Sequence, residues 1–262
     1  MTEPLDTGRP HPARVYDVLL GGKDNFAADR AAAAQGLQVN PNAATAPLQN
    51  RAFLRRTVRF LAARGIRQFL DIGTGLPTSP NVHEVAQEAE PAARIVYADN
   101  DPLVLAHARA LLTSARTGRT AYVNGDLRRP AEILSAPELR ETLDLSEPVA
   151  VLLLAILHFI EDSDRPYDIV RTIMDALPSG SYLVLSHITA EYDPESWGRF
   201  AEIMRGQGIP TRLRGRDEVT AFFDGLDLVE PGVVPILRWR PEEETPFTDA
   251  QVALYGGVAE KP

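Results

Sequence analysis

Three acidic residues follow or end apolar stretches at intervals that could build one site. Asp71 lies in Phe69-Leu70-Asp71-Ile72-Gly73-Thr74-Gly75-Leu76-Pro77-Thr78. Asp99 ends Ile95-Val96-Tyr97-Ala98-Asp99 and is followed by Asn100, and Asp126 sits in Asn124-Gly125-Asp126-Leu127. An apolar strand, a glycine turn and an acid at the next strand end are how an α/β sheet grips an adenosine-bearing cofactor. Gly73 and Gly75 allow a sharp turn and close approach of the backbone to a ligand. Asp99 can accept from both ribose hydroxyls, Asp126 from an adenine amino group, and the Leu127 backbone can meet a ring nitrogen. A pyrophosphate loop wants a third glycine where this chain has Thr78, stiffened by Pro77. The loop therefore suits a cofactor that carries no phosphate. Ser79, with Pro80 after it, is expected to cap the next helix, and Asp101 before Pro102 the one after.

Proton-transfer chemistry has two candidates. His158 follows the fourth expected strand and His187 ends the fifth, so both are placed at the rim where an acceptor would sit, with a pKa range that suits a general base. Either could instead serve only the loop network. No cysteine is present and no His/Asp pairs stand at ligand spacing, so no metal site is expected. Near the amino terminus, Gly21-Gly22 separates Tyr16 from Lys23, Asp24 and Asn25. This group is expected to fold over the strand ends as a lid, a plain interhelical turn being the other reading. Tyr192 and Trp197 are candidates for the opposite apolar wall, or for ordinary packing.

These residues need a frame, and the periodicity supplies it. Residues before about Pro12 read as a mobile tail. Helical patterns run over 13–20, 25–35 (capped by Asp24 or Asn25) and 49–64. Arg51, Arg55, Arg56 and Arg59 on the last of these read as a solvated face. From residue 67 the pattern alternates. Strands are expected at 68–72, 94–99, 120–124, 149–155 and 181–187, with helices at 81–90, 102–115, 130–143 and 165–177. Near-continuous apolar runs such as Val149–Ala155 mark strands buried on both faces. The fold class is α/β: a doubly wound, mostly parallel, seven-stranded Rossmann-like sheet with an N-terminal helical cap. Residues 1–65 form the cap and 66–262 the cofactor-binding domain. After helices at 195–205 and 217–223, strands at 226–238 and 252–260 close the sheet edge.

Composition bounds the partners. The chain has 262 residues, 44% of them hydrophobic, and a formal net charge of -9. That charge argues against nucleic acid and against an anionic membrane surface. No run reaches the ~20 apolar residues that span a bilayer. With no cysteine and no secretory leader pattern, a cytoplasmic protein is expected. Monomer and homodimer both stay open.

At this point the chain resembles the class I S-adenosylmethionine-dependent methyltransferases. Within them it is similar to a family of actinobacterial S-adenosyl methyltransferases, mostly uncharacterised. The likeness is carried by Arg14-Val15-Tyr16-Asp17, by Leu20 through Arg30, by Phe69 through Thr78, by Asn81-Val82-His83-Glu84, by Tyr97 through Pro102, and by Ala155-Ile156-Leu157-His158-Phe159-Ile160. The resemblance implies that Asp71, Gly73, Thr74 and Gly75 surround the methionine moiety. It implies Asp99 at the ribose, Asp126 at the adenine, and an Ala155 carbonyl facing the methionine amine. A small-molecule methyl acceptor is implied, of unknown identity. Two other readings stay open here: a regulatory protein that binds S-adenosylmethionine without turnover, and a nicotinamide-dependent oxidoreductase.

Overall fold

The computed structural model describes residues 6–111 and 116–262. Three helices come first: α1 (Pro12–Leu19), α2 (Ala27–Val39) and α3 (Thr45–Ala63). Strands and helices then alternate through β1 (Gln68–Ile72), α4 (Val82–Ala89), β2 (Arg94–Asp99), α5 (Pro102–Leu111) and β3 (Arg119–Asn124). After α6 (Pro130–Ser135) and α7 (Pro137–Thr142) come β4 (Ala150–Leu154), α8 (Pro166–Asp175) and β5 (Tyr182–Ile188). The chain finishes with α9 (Pro194–Gly206), α10 (Arg216–Thr220), β6 (Asp227–Leu228), β7 (Val234–Pro235), α11 (Asp249–Val252) and β8 (Leu254–Glu260).

The strands form one sheet in the order β3-β2-β1-β4-β5-β8-β6, with the two-residue β7 paired to β8 beside β6. β1 to β5 run parallel and β8 runs antiparallel to β5. The order reverses between β1 and β4, and a doubly wound sheet opens its ligand crevice at that reversal, at the strands' carboxyl ends. Side chains alternate between two apolar layers. Phe69, Ile95, Tyr97, Leu152 and Val184 face the layer that holds α1, α2, α3 and α9. Leu70, Val96, Val151, Leu153 and Leu185 face the layer holding α6, α7 and α8. Burial on both faces explains why the central strands read as unbroken apolar runs.

Several boundaries differ from the sequence expectation. From Asp6 onward the amino-terminal segment is engaged rather than loose: the Asp6 carbonyl accepts from Arg14 Nη1 at 2.7 Å, and the His11 N–H donates to Asp29 Oδ1 at 2.9 Å. Neither Asp24 nor Asn25 caps α2. Phe26 holds that place, its N–H donating to Asp29 Oδ2 at 2.8 Å. Asn81, not Ser79, caps α4, in a reciprocal pair with Glu84. The expected helix over 130–143 splits in two because Pro137 starts a new helix. Of the closing strand expected at 226–238, only β6 and β7 pair. The expected end of α5 at Ala115 lies outside the described residues.

Candidate functional site

At the carboxyl ends of β1 to β4 lies a cleft of about 1180 Å³, counting its open side, and all nine residues expected to hold the cofactor line it. Gly73 turns with φ 73° and Gly75 with φ 67°, backbone that L side chains rarely adopt. The Gly75 N–H donates to Asp99 Oδ2 at 2.9 Å, while Asp99 Oδ1 accepts from the Asp101 N–H at 2.9 Å. Asp99 is thus a buried carboxylate that shapes the glycine turn as well as facing the cleft. Burial pushes its pKa up. Asp71 behaves alike: burial raises its carboxyl to about 6, against opposing contributions from Thr74 and Arg51. Two carboxyls held in a partly closed site favour a ligand that brings positive charge.

No third glycine is needed to hold this loop. Arg51 of α3 donates to the carbonyls of Thr78 and Pro80, and Asn81 Oδ1 accepts from the Thr78 N–H at 3.1 Å. Arg51 also lines the cleft. Arg56 donates to the carbonyls of Trp239 and Ile236 at 3.0 and 2.6 Å. The expected solvated arginine face therefore docks the helix at two of its four positions. Asp126 is gripped by its neighbour. Arg128 Nε lies 3.0 Å from each carboxylate oxygen, and Nη2 reaches Oδ2 at 2.6 Å. Burial acts to raise the Asp126 pKa, but the fork outweighs it and the carboxyl sits below its usual range.

The amino-terminal cap supplies the other wall. His11, Pro12, Ala13 and Tyr16 face the cleft from α1 and its cap. Arg14 fixes that helix: Nε donates to Asp101 Oδ2 at 2.7 Å and Nη2 to Oδ1 at 3.2 Å. Tyr16 begins a second chain. Its hydroxyl donates to the Pro47 carbonyl at 3.2 Å and accepts from Asn50 Nδ2 at 3.1 Å. Asn50 Oδ1 accepts from Ser186 Oγ at 2.7 Å, and Ser186 Oγ accepts from the Ala155 N–H at 2.9 Å. Ala155 is thereby held at φ 53°. Lys23 does not join the lid; it is exposed and lines neither the cleft nor the cavity beside it. Asp24 and Asn25 instead close the turn on Asp17, whose Oδ2 accepts from the Asp24 N–H at 3.0 Å and Asn25 Nδ2 at 2.8 Å. A Cβ on Gly22 would overlap the same Asp17 carboxylate. The diglycine stretch is a clasp that braces α1.

Beside the cleft lies a cavity of about 590 Å³, counting its open side. Pro12, Tyr16, Ala155 and Phe159 line both. Trp197, Phe200 and Met204 of α9 form its far wall, and Trp197 also belongs to the buried core, so both readings offered for it meet there. Tyr192 is exposed and packs on Tyr255 instead. His158 lines the cavity, and burial, aided by Arg214, holds its pKa down to about 3. His187 is placed differently from the expected rim. It is wholly buried and lines neither space. Its Nδ1 pairs with the Ile188 carbonyl at 2.8 Å, which makes Nε2 the acceptor for Arg214 Nη1 at 2.9 Å. Arg214 also holds the carbonyls of Leu157 and Ile160 at 3.0 and 3.1 Å. His187 is a brace behind the segment that carries His158.

A doubly wound sheet with this order, an acid-lined cleft at the switch point and a glycine turn without a pyrophosphate loop defines the class of S-adenosylmethionine-dependent methyltransferases. The chain belongs to the S-adenosyl methyltransferase family, whose profile matches residues 1–262. It is similar to a DUF574 family protein from Streptomyces avermitilis MA-4680, at 48% identity and TM-score 0.96 over 99% of this chain and 100% of that one. A candidate methyltransferase from Thermobifida fusca YX is 40% identical at TM-score 0.90, over 98% and 96% of the two chains. The N-methyltransferase NodS from Bradyrhizobium japonicum WM9, in complex with S-adenosyl-l-homocysteine, shares the fold at TM-score 0.50 and 15% identity, over 95% and 99%. No curated protein matches the chain. The protein is a methyltransferase whose cofactor is S-adenosylmethionine rather than a nicotinamide.

Proposed function

We propose that the cleft holds the methyl donor and that the adjoining cavity holds a small-molecule acceptor. The observation that carries this reading is the wall shared by the two spaces, where Tyr16, Ala155 and Phe159 face both. The residues fit the donor. Gly75 leaves open space where a Cβ would stand, and the buried Asp71 and Asp99 suit a cationic ligand. Bound S-adenosylmethionine supplies an electrophilic methyl group on a sulfonium. In this reading Asp99 holds the ribose with Asn100 beside it, while Asp126 and the Leu127 backbone take the adenine. Asp71, Gly73, Thr74 and Gly75 surround the amino-acid end, with the Ala155 carbonyl facing its amine. His158 accepts the acceptor's proton, and His187 with Arg214 positions His158. Catalysis then rests mainly on alignment and exclusion of water. Asp24 and Asn25 serve by bracing the Tyr16 helix through Asp17.

The net charge of -9 supports a small acceptor over nucleic acid. Every side chain in this reading comes from one chain, which supports a site that works with or without a second copy. The lack of cysteine fits a cytoplasmic setting. Among the described residues no helix is long and apolar enough to cross a membrane. Calorimetric titration with S-adenosylmethionine and with NAD tests the cleft. Wild type is expected to bind S-adenosylmethionine alone, and Asp99→Ala to weaken it by about tenfold or more, since a buried charge-assisted hydrogen bond contributes about 1.5–3 kcal/mol. Unchanged affinity in Asp99→Ala would overturn the assignment.

A further inference from the structure

The cavity beside the cleft has a chemistry of its own. None of its lining residues carries a carboxylate, an ammonium or a guanidinium group, and its one imidazole is that of His158. Two aromatic pairs line it: Trp197 meets Phe200 edge-on with ring centroids 5.7 Å apart, and His158 meets Phe159 at 4.2 Å. The polar groups at its border are mostly spent. Trp197 Nε1 donates to the Ala250 carbonyl at 2.9 Å, Thr211 Oγ1 to the Ile209 carbonyl at 3.2 Å, and the Tyr16 hydroxyl is paired twice. His158 differs. Its ring is more than nine-tenths buried and neither ring nitrogen has a partner among the described residues; Nδ1 is sealed off, which leaves Nε2 as the nitrogen open to a ligand.

From this we infer that the acceptor is a neutral, apolar, ring-bearing molecule that presents one hydroxyl toward His158, next to the shared-wall residue Phe159. A carboxylate or ammonium entering here would lose its water and meet no counter-charge, which is costly. An apolar ring replaces water against aromatic faces, which is favourable. In the transfer, the hydroxyl oxygen forms its bond to the methyl carbon as the carbon–sulfur bond breaks, and the electron pair of that bond stays on sulfur. The proton leaves the oxygen for His158. A weak base suffices, because the oxygen becomes strongly acidic as it acquires the methyl group.

This inference rests on the proposed division between cleft and cavity, so its first readout is binding alone, which does not depend on that division. The full-length protein is titrated with 2-naphthol and with 2-naphthoate, which share their rings but not their charge, and separately with S-adenosylmethionine. Wild type is expected to bind 2-naphthol at least about tenfold more tightly than 2-naphthoate. Ala46→Phe fills the cavity from α3 and is expected to abolish 2-naphthol binding while S-adenosylmethionine still binds. Should Ala46→Phe lose both ligands through misfolding, Leu19→Trp fills the cavity from α1 and decides. Equal or tighter binding of 2-naphthoate, or 2-naphthol binding that survives both variants, overturns the inference. With S-adenosylmethionine added, mass spectrometry should find 2-methoxynaphthalene, slowed by His158→Gln with donor affinity unchanged. Tight 2-naphthol binding without that product would overturn the placement of the hydroxyl at His158. If wild type binds 2-naphthol but not S-adenosylmethionine, the cavity assignment stands and the reading of the cleft falls.

Discussion

Asp71, at the end of β1, gives the site a proton-linked affinity. With its carboxyl raised to about 6 by burial, the folded ligand-free protein binds a proton near pH 5 that the unfolded chain has already released. Ligand-free stability therefore falls as pH rises from about 4 to 6, by at most on the order of 3 kcal/mol for this group. Binding of a cation has the opposite sign, since it favours the ionised form. Affinity for S-adenosylmethionine is expected to rise about tenfold between pH 5 and 7 and to flatten above. Asp71→Asn should bind more weakly at pH 7 and lose most of that slope in calorimetry across the range. At this scale the sequence was informative wherever the signal was local. Asp71, Asp99 and Asp126 stand beside their own strand ends and turns. The Arg128 fork was also visible in principle, as an arginine two residues beyond an acid. The bracing role of His187 was not, because Arg214 reaches it from 27 residues away.

Among the elements, α1 shows how a long-range contact can dominate a short helix. Eight residues make a marginal helix alone, and this one is held by the fork of Arg14 on Asp101, 87 residues distant. Both side chains are nearly inaccessible. Arg14→Ala leaves Asp101 buried without its partner, a loss of about 3–5 kcal/mol for buried pairs. The melting temperature should fall by roughly 6–20 °C, at 2–4 °C per kcal/mol for a chain of this size. Donor affinity should weaken too, because Asp101 is tied through its N–H to Asp99. A melting temperature within a degree or two of wild type would show that α1 is held by packing alone. Sequence spacing located this helix and its diglycine end, yet could not show that Gly22, Asp24 and Asn25 converge on Asp17, because loop closure leaves no periodic trace. The apolar cavity was illegible for the same reason: its walls come from α1, α3, α9 and β8, and no single stretch reads as a pocket.

On the scale of the molecule, one apolar layer runs through cap and sheet. Val15, Ala32 and Phe53 of the first three helices belong to the same buried cluster as Ile95, Leu152 and Val184 of the strands. Shared burial argues that the cap expected over residues 1–65 and the domain expected over 66–262 melt together. Calorimetry of the ligand-free protein is expected to show one transition whose calorimetric and van't Hoff enthalpies agree. Two resolved transitions would restore the cap as an independent unit. Saturating donor, at about 100 times its dissociation constant, should add about 2.7 kcal/mol to that single transition.

The four residues common to cleft and cavity carry a thermodynamic consequence. On the proposed division each ligand finishes the container of the other, so whatever factor the donor lends to acceptor affinity the acceptor must return in full. Spent cofactor and methylated product would then each leave past a wall that the other helps to complete. On that division their parting, rather than the transfer of the methyl group, would set the tempo of turnover.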